Sequence, residues 1–134
     1  MKFTIKVPPR TKKNHSQICK SGNRYFLRPS KQYLAYEAAA GKYITDIIRT
    51  QVIGMQLPLN IKATFYMDTL RRVDLVNLEQ ALLDILVKYK VLLDDNNTVV
   101  ASMDGSRVMY DKENPRTEVE ITEYTTVKRG RGRI

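Results

Sequence analysis

Asp74 opens an apolar run of helical length, "DLVNLEQALLDILVKYKVLL", and Asp94 and Asp95 close it. Asp104 follows further on, at the head of a "DGS" turn. Carboxylates that meet in space hold hard cations, and a cation so held supports hydrolysis of phosphate esters. Other site chemistries are short of parts. The chain has one cysteine, Cys19, and one histidine, His15. That excludes an internal disulfide, a Cys-based zinc site and a His-rich metal site, and it argues against Ser-His-Asp or Cys-His catalysis. Any metal is held mostly by oxygen, which favours Mg²⁺, with Mn²⁺ able to substitute. The same acids also have ordinary readings. Asp74 can cap the helix, a contribution of about 0.5–2 kcal/mol. Asp94-Asp95-Asn96-Asn97 and Asp104 can be turn chemistry. The residues alone leave both readings open.

Several elements must position these acids. "KFTIKV" at residues 2–7 and "LNIKATFYM" at 59–67 alternate apolar and polar residues and predict strands, with a shorter one at "NRYFLRP". Ser30 predicts an N-cap for a helix over 31–53 that Gly54 ends. Leu75, Leu78, Leu82, Ile85, Leu86 and Tyr89 predict a second helix over 75–90. "TVVASM", "RVMY" and "TEVEITEY" predict three more strands. The sum is an α+β domain over residues 1–124, two helices packed on a mixed β-sheet. A basic tail, 125–134, follows it. A sixteen-residue helix is about 24 Å long. Asp74 and Asp95 therefore meet only if the segment "KVLLDDNN" runs back along the helix.

The formal net charge is +9, and it is unevenly spread. Residues 1–34 carry nine Lys/Arg and no acid, and the tail from Lys128 adds four more. The middle holds all fourteen acids. Basic ends draw a polyanion, and a central acid cluster tolerates one when it holds a cation. No apolar run reaches membrane-spanning length. The alternating N-terminus reads as a strand rather than a leader.

The block "RRVDLVNLEQALLDILVKYKVLLDDNNTVV" resembles the RusA-type endonucleases, the Holliday-junction resolvases of phages and prophages. The shared features are Asp74 after an arginine-rich turn, Asn77 three residues later, the triplet Asp84-Ile85-Leu86, and Leu93-Asp94-Asp95. Pro8, Pro9, Lys12, Lys13 and Asn14 match the family's N-terminal segment. The resemblance implies a homodimer, active in the cytoplasm of a bacterial host, that binds a four-way DNA junction. It further implies paired symmetric nicks with Mg²⁺ and no small-molecule cofactor. Asp74 and Asp95 take the place of the family's essential aspartates. Two positions depart from the pattern: Val76 stands where the family has a second aspartate, and Gln80 where it has a lysine. Asp104, Glu79 and the amide oxygen of Asn77 are the candidate substitutes for the lost ligand, with Asp104 the strongest. Arg71, Arg72, Lys12 or Lys13 would replace the lost lysine. Arg10, Lys12, Lys13, Asn14, Arg71 and Arg72 are the expected DNA contacts. The departures leave a second reading, a branched-DNA-binding protein of the same fold with impaired catalysis. A third, an RNA-binding module, lacks any RNP-like or GXXG signature.

Overall fold

A computed structural model describes residues 1–12 and 17–124 of the 134. Lys13, Asn14 and the basic tail, three of the features singled out above, lie outside the described residues. The elements run β1 (Lys2–Ile5), β2 (Gln17–Ser21), β3 (Arg24–Arg28), α1 (Lys31–Gly41), α2 (Asp46–Ile53), β4 (Leu59–Met67), α3 (Leu75–Lys88), β5 (Val100–Ser102), β6 (Arg107–Tyr110) and β7 (Arg116–Glu123).

β4 is the spine. Its odd-numbered residues, Leu59 to Met67, are all buried, so its side-chain period matches a sheet with one face on the core. β7 runs antiparallel along one edge of β4, and β1 antiparallel along β7. The other edge of β4 is shared. β5 pairs in parallel with Leu59 and Asn60, and β6 in parallel with Thr64 to Met67. The chain turns between them at Gly105, whose φ of +88° suits a residue without Cβ. Ser106 fills the gap with its hydroxyl, which accepts the Ala63 N–H at 3.0 Å and donates to the Ile61 carbonyl at 3.4 Å. The result is a mixed sheet with helices on it, the expected α+β domain.

α3 buries Leu78, Ala81, Leu82, Ile85 and Leu86 in the core with Phe65 and Ile121. The expected helix over 31–53 is two helices. α1 starts at Ser30, whose hydroxyl accepts the Tyr33 N–H. It stops at Gly41, and Thr45 caps α2 by accepting the Ile48 N–H at 3.3 Å. Gly41 itself meets a packing requirement. A Cβ on Gly41 would overlap the Tyr89 ring, which seats there, and its hydroxyl donates to the Glu37 carbonyl at 3.1 Å. From α2, Arg49 Nε donates to the Tyr89 carbonyl at 2.6 Å. Both contacts fix the C-terminal end of α3. Gly41→Ala is therefore expected to cost about 1–3 kcal/mol through overpacking, read as a lower thermal midpoint; an unchanged midpoint would mean that Tyr89 swings away freely.

β2 was not foreseen as a strand. Among the described residues it pairs with β3 alone, in an antiparallel hairpin separate from the main sheet.

Candidate active site

Asp74 occupies the N-cap position of α3, but its side chain makes no capping bond to the backbone. Its Oδ2 accepts a hydrogen bond from Asn77 Nδ2 at 3.2 Å. The capping role, which the residues alone had left open, is thus not the one its carboxylate takes. Steps of three and four residues lie on one flank of a helix, and here they give Asn77, Gln80 and Asp84. Gln80 Nε2 donates to Asp84 Oδ1 at 3.0 Å and to Asp95 Oδ2 at 3.3 Å. Asp95 has therefore come back along α3, as a shared site requires.

The return has a local cause. Lys90 takes a left-handed conformation, φ +66°. The N–H groups of Val91 and Leu92 then both turn to the Leu86 carbonyl, at 2.8 and 3.2 Å. Both side chains are buried, so the apolar pair pins the loop against the helix. Asp95 ends beside Gln80, roughly 13 Å of helix before the C-cap. The two neighbouring acids divide the work. Asp94 accepts the Asp95 N–H at 2.7 Å and Asn96 Nδ2 at 3.0 Å, which builds the turn. Asp95 is left to face the helix.

A basic side chain enters from the N-terminal loop. Lys12 Nζ lies 2.8 Å from Asp84 Oδ2 and 5.6 Å above the Tyr33 ring centre. Tyr33 in turn donates to Glu37 at 3.3 Å, and Glu37 pairs with Lys88. Burial, with Glu37 and Asp84 nearby, pushes the Tyr33 phenol well above its usual range, so it stays a neutral donor. A cleft of about 360 Å³ holds Lys12, Asp84, Asp94 and Asp95. A second, of about 210 Å³, holds Thr11, Arg72, Val73, Asp74 and Asn77. Thr11 is 4% exposed, and its hydroxyl has no hydrogen-bond partner among the described residues. Neither Thr11 nor the Lys12–Asp84 pair was foreseen. A threonine in "PPRTKK" carries no motif, and an ion pair across seventy residues leaves no spacing signal.

The other expected site residues are distributed as follows. Arg71 and Arg72 are exposed and line a groove of about 400 Å³ that continues from the Asp74 cleft past Arg10 and Asp68. Arg10 is bound up in a two-pronged ion pair with Asp68, at 2.8 and 2.9 Å. It anchors the N-terminal loop to the end of β4 rather than pointing at solvent. Asp104 is not brought to this flank. Its N–H donates to Asn60 Oδ1 and Ser102 Oγ, both at 3.0 Å, beside the start of β4. Two residues on, Ser106 lies near Glu79, which is on the opposite flank of α3. The turn that carries Asp104 passes from β5 to β6 along one edge of β4, and its hydrogen bonds among the described residues go to Asn60 and Ser102 rather than to the Asp74 flank. Glu79 falls on that far side as well, and burial raises its carboxyl. Val76 is 70% exposed, on the solvent side of α3 next to Gln80. It is therefore no core residue.

The Arg10–Asp68 pair predicts an acid limit. The hydrogen bonds from Arg10 hold the Asp68 carboxyl below its ordinary value of 3.8. A depressed folded pKa gives stability that is full above the unfolded value and lost as pH falls through the folded one. Wild type should therefore lose stability progressively below about pH 4. Asp68→Asn should cost about 1–2 kcal/mol at pH 7, partial exposure included, and flatten that part of the acid limb in urea titrations. An acid limb of the same slope in both proteins would contradict the assignment.

Endodeoxyribonuclease RusA is the family whose model matches residues 6–122. The chain belongs to the RusA endodeoxyribonuclease family. A search of the curated proteins finds no match. RusA-type enzymes are divalent-metal-dependent nucleases of Holliday junctions. On this RusA chain's α3 flank Asn77 turns its amide N–H to Asp74 and Gln80 turns its own to Asp84 and Asp95, so the ligands left there are the carboxylates of Asp74 and Asp95, with that of Asp84 held by Lys12. They are hard oxygen donors, and Mg²⁺ commonly takes one or two carboxylates, with phosphate oxygens and water completing its shell. The donor set fits such an ion, although no ready cluster of three or more His, Cys, Asp or Glu ligands occurs among the described residues. No described helix is long and apolar enough to cross a membrane.

Proposed function

We propose that this chain resolves four-way DNA junctions, with Asp74 and Asp95 as the essential carboxylates and Mg²⁺ as the cation. The observation that carries the reading is the return of the loop after α3, which puts Asp95 on Gln80, on the flank that Asp74 begins. Asn77 holds the Asp74 carboxylate with its amide N–H. When bound, the cation supplies neutralisation of the scissile phosphate and a lowered pKa for the attacking water. The chain does the rest. Gln80 orients Asp95. Arg71 and Arg72, with Lys13 and Asn14 of the N-terminal loop, hold the phosphate backbone. Lys12, placed by Asp84, offers the positive charge that the family's lysine supplies and that Gln80 lacks.

A junction presents two equivalent strands, and each chain carries one such flank. Paired nicks therefore call for a homodimer with two-fold symmetry. Cleavage of a labelled junction with and without Mg²⁺ tests the reading, and symmetric nicks are expected only with the cation.

Lys12→Ala is expected to slow nicking by about 10²-fold, the scale of losing one charge-stabilising donor. Gln80→Lys in that background should recover most of the rate. A role confined to folding would give no such recovery, and failure of the rescue at unchanged thermal stability would remove Lys12 from the mechanism. The competing reading, a junction-binding protein without cleavage, rests on Val76 and Gln80.

A further inference from the structure

The β2–β3 hairpin has no part in the site described above. It has a two-residue turn led by Gly22 at φ +60°, the position that a type II′ turn gives to glycine. Gln17 Nε2 closes its root by donating to the Pro29 carbonyl at 2.9 Å. Every residue of β3 is exposed. The register puts Ile18 opposite Leu27 and Lys20 opposite Tyr25, so these four share one face. Ile18 is 76% exposed, Leu27 73% and Tyr25 69%. Phe26, on the other face between Arg24 and Arg28, is 47% exposed. Single apolar residues at a surface are ordinary; a contiguous apolar face on a projecting arm marks an interaction site.

Charge selects the occupant. The arm carries Lys20, Arg24 and Arg28, and no acid occurs before Glu37. The same arm of a second copy would bring like charge. A polyanion that also offers apolar surface fits both features, and nucleic acid with unstacked bases is such a ligand. The arm also starts next to the cleft: its far strand leads through Ser30 into α1, whose Tyr33 carries Lys12.

We infer that the β2–β3 hairpin is a branch-point probe, with Lys20, Arg24 and Arg28 on phosphates and Ile18, Tyr25 and Leu27 against bases exposed where strands exchange. The inference rests on the DNA reading above and adds a source of selectivity for branched over linear duplex.

The test uses the full chain in EDTA with a four-way junction carrying 2-aminopurine at the branch, beside linear duplex. Two variants are compared: Ile18→Ser/Tyr25→Ala/Leu27→Ser, and Lys20→Gln/Arg24→Gln/Arg28→Gln. These side chains are exposed, so unchanged thermal midpoints are expected and serve as the control for folding. Wild type should brighten 2-aminopurine. The apolar triple should keep duplex affinity, lose about tenfold in junction affinity and lose the fluorescence rise. The charge triple should weaken both ligands and lower the salt slope by about three. An apolar triple with wild-type junction affinity and fluorescence overturns the inference while leaving the resolvase reading intact. So does an apolar triple that turns a dimer into a monomer, since the face would then belong to a second copy. Wild type that binds no junction overturns both.

Discussion

Asp95→Asn should abolish nicking, by 10²–10³-fold or more, while junction binding is kept or tightened. The substitution is nearly isosteric, and Asp95 is partly exposed, at a loop whose anchors are Val91 and Leu92 rather than its own carboxylate. Fold and loop should survive. What is lost is one of the two flank carboxylates that Lys12 does not hold, Asp74 being the other. Lost electrostatic stabilisation at a reacting phosphate has that scale. Binding should rise because a negative charge beside a polyanion has gone. Asp94→Asn is the matched control. Its oxygens accept bonds from the Asp95 N–H and Asn96, so it should show only a modest loss through a looser turn. Equal losses in the two variants, measured on the same junction, would mean that the turn and not the Asp95 carboxylate matters.

The opposite change should raise activity. Val76→Asp puts a carboxylate on the solvent side of α3, beside Gln80, at a position that is 70% exposed. No core packing is lost, and removal of a β-branched residue costs a helix little. Charge count sets affinity for a divalent ion. Val76→Asp should therefore lower the Mg²⁺ concentration for half-maximal nicking by about tenfold or more, the direction fixed by attraction between unlike charges. With Gln80→Lys added, the family's pattern is complete, and Lys12 should become dispensable. A Val76→Asp protein with unaltered Mg²⁺ dependence would show that this position does not face the bound ion.

The parts of this fold that were legible in sequence are those with one buried face. β4 alternates because one side of it meets the core, and α3 repeats at three and four residues for the same reason. The β2–β3 arm has no buried face, so hydrophobic periodicity had nothing to report at Gln17–Ser21. The break between α1 and α2 was hidden too. Ala38, Ala39 and Ala40 are good helix formers, and Gly41 matters for the Tyr89 ring that lies nearly fifty residues away. The site divides in the same way. The Asp74 and Asp95 pairing was an expectation carried by resemblance, conditional on a loop whose course depends on Val91 and Leu92 packing. Lys12 on Asp84 and the buried hydroxyl of Thr11 arise from tertiary contact alone. Asp104 looked suitable as an acid at a strand end; the sheet order puts its turn on the Glu79 side of α3.

The most direct measurement is nicking of an end-labelled four-way junction by the purified full chain, with Mg²⁺, with Mn²⁺ and with EDTA, beside Asp74→Asn and Asp95→Asn. The account predicts paired nicks at symmetric positions with either ion, none in EDTA and none with either variant, although all three proteins bind the junction. Tight binding by wild type without a nick under any metal would contradict it, and would leave a branched-DNA-binding protein in which the loss of the second aspartate at Val76 has ended the chemistry.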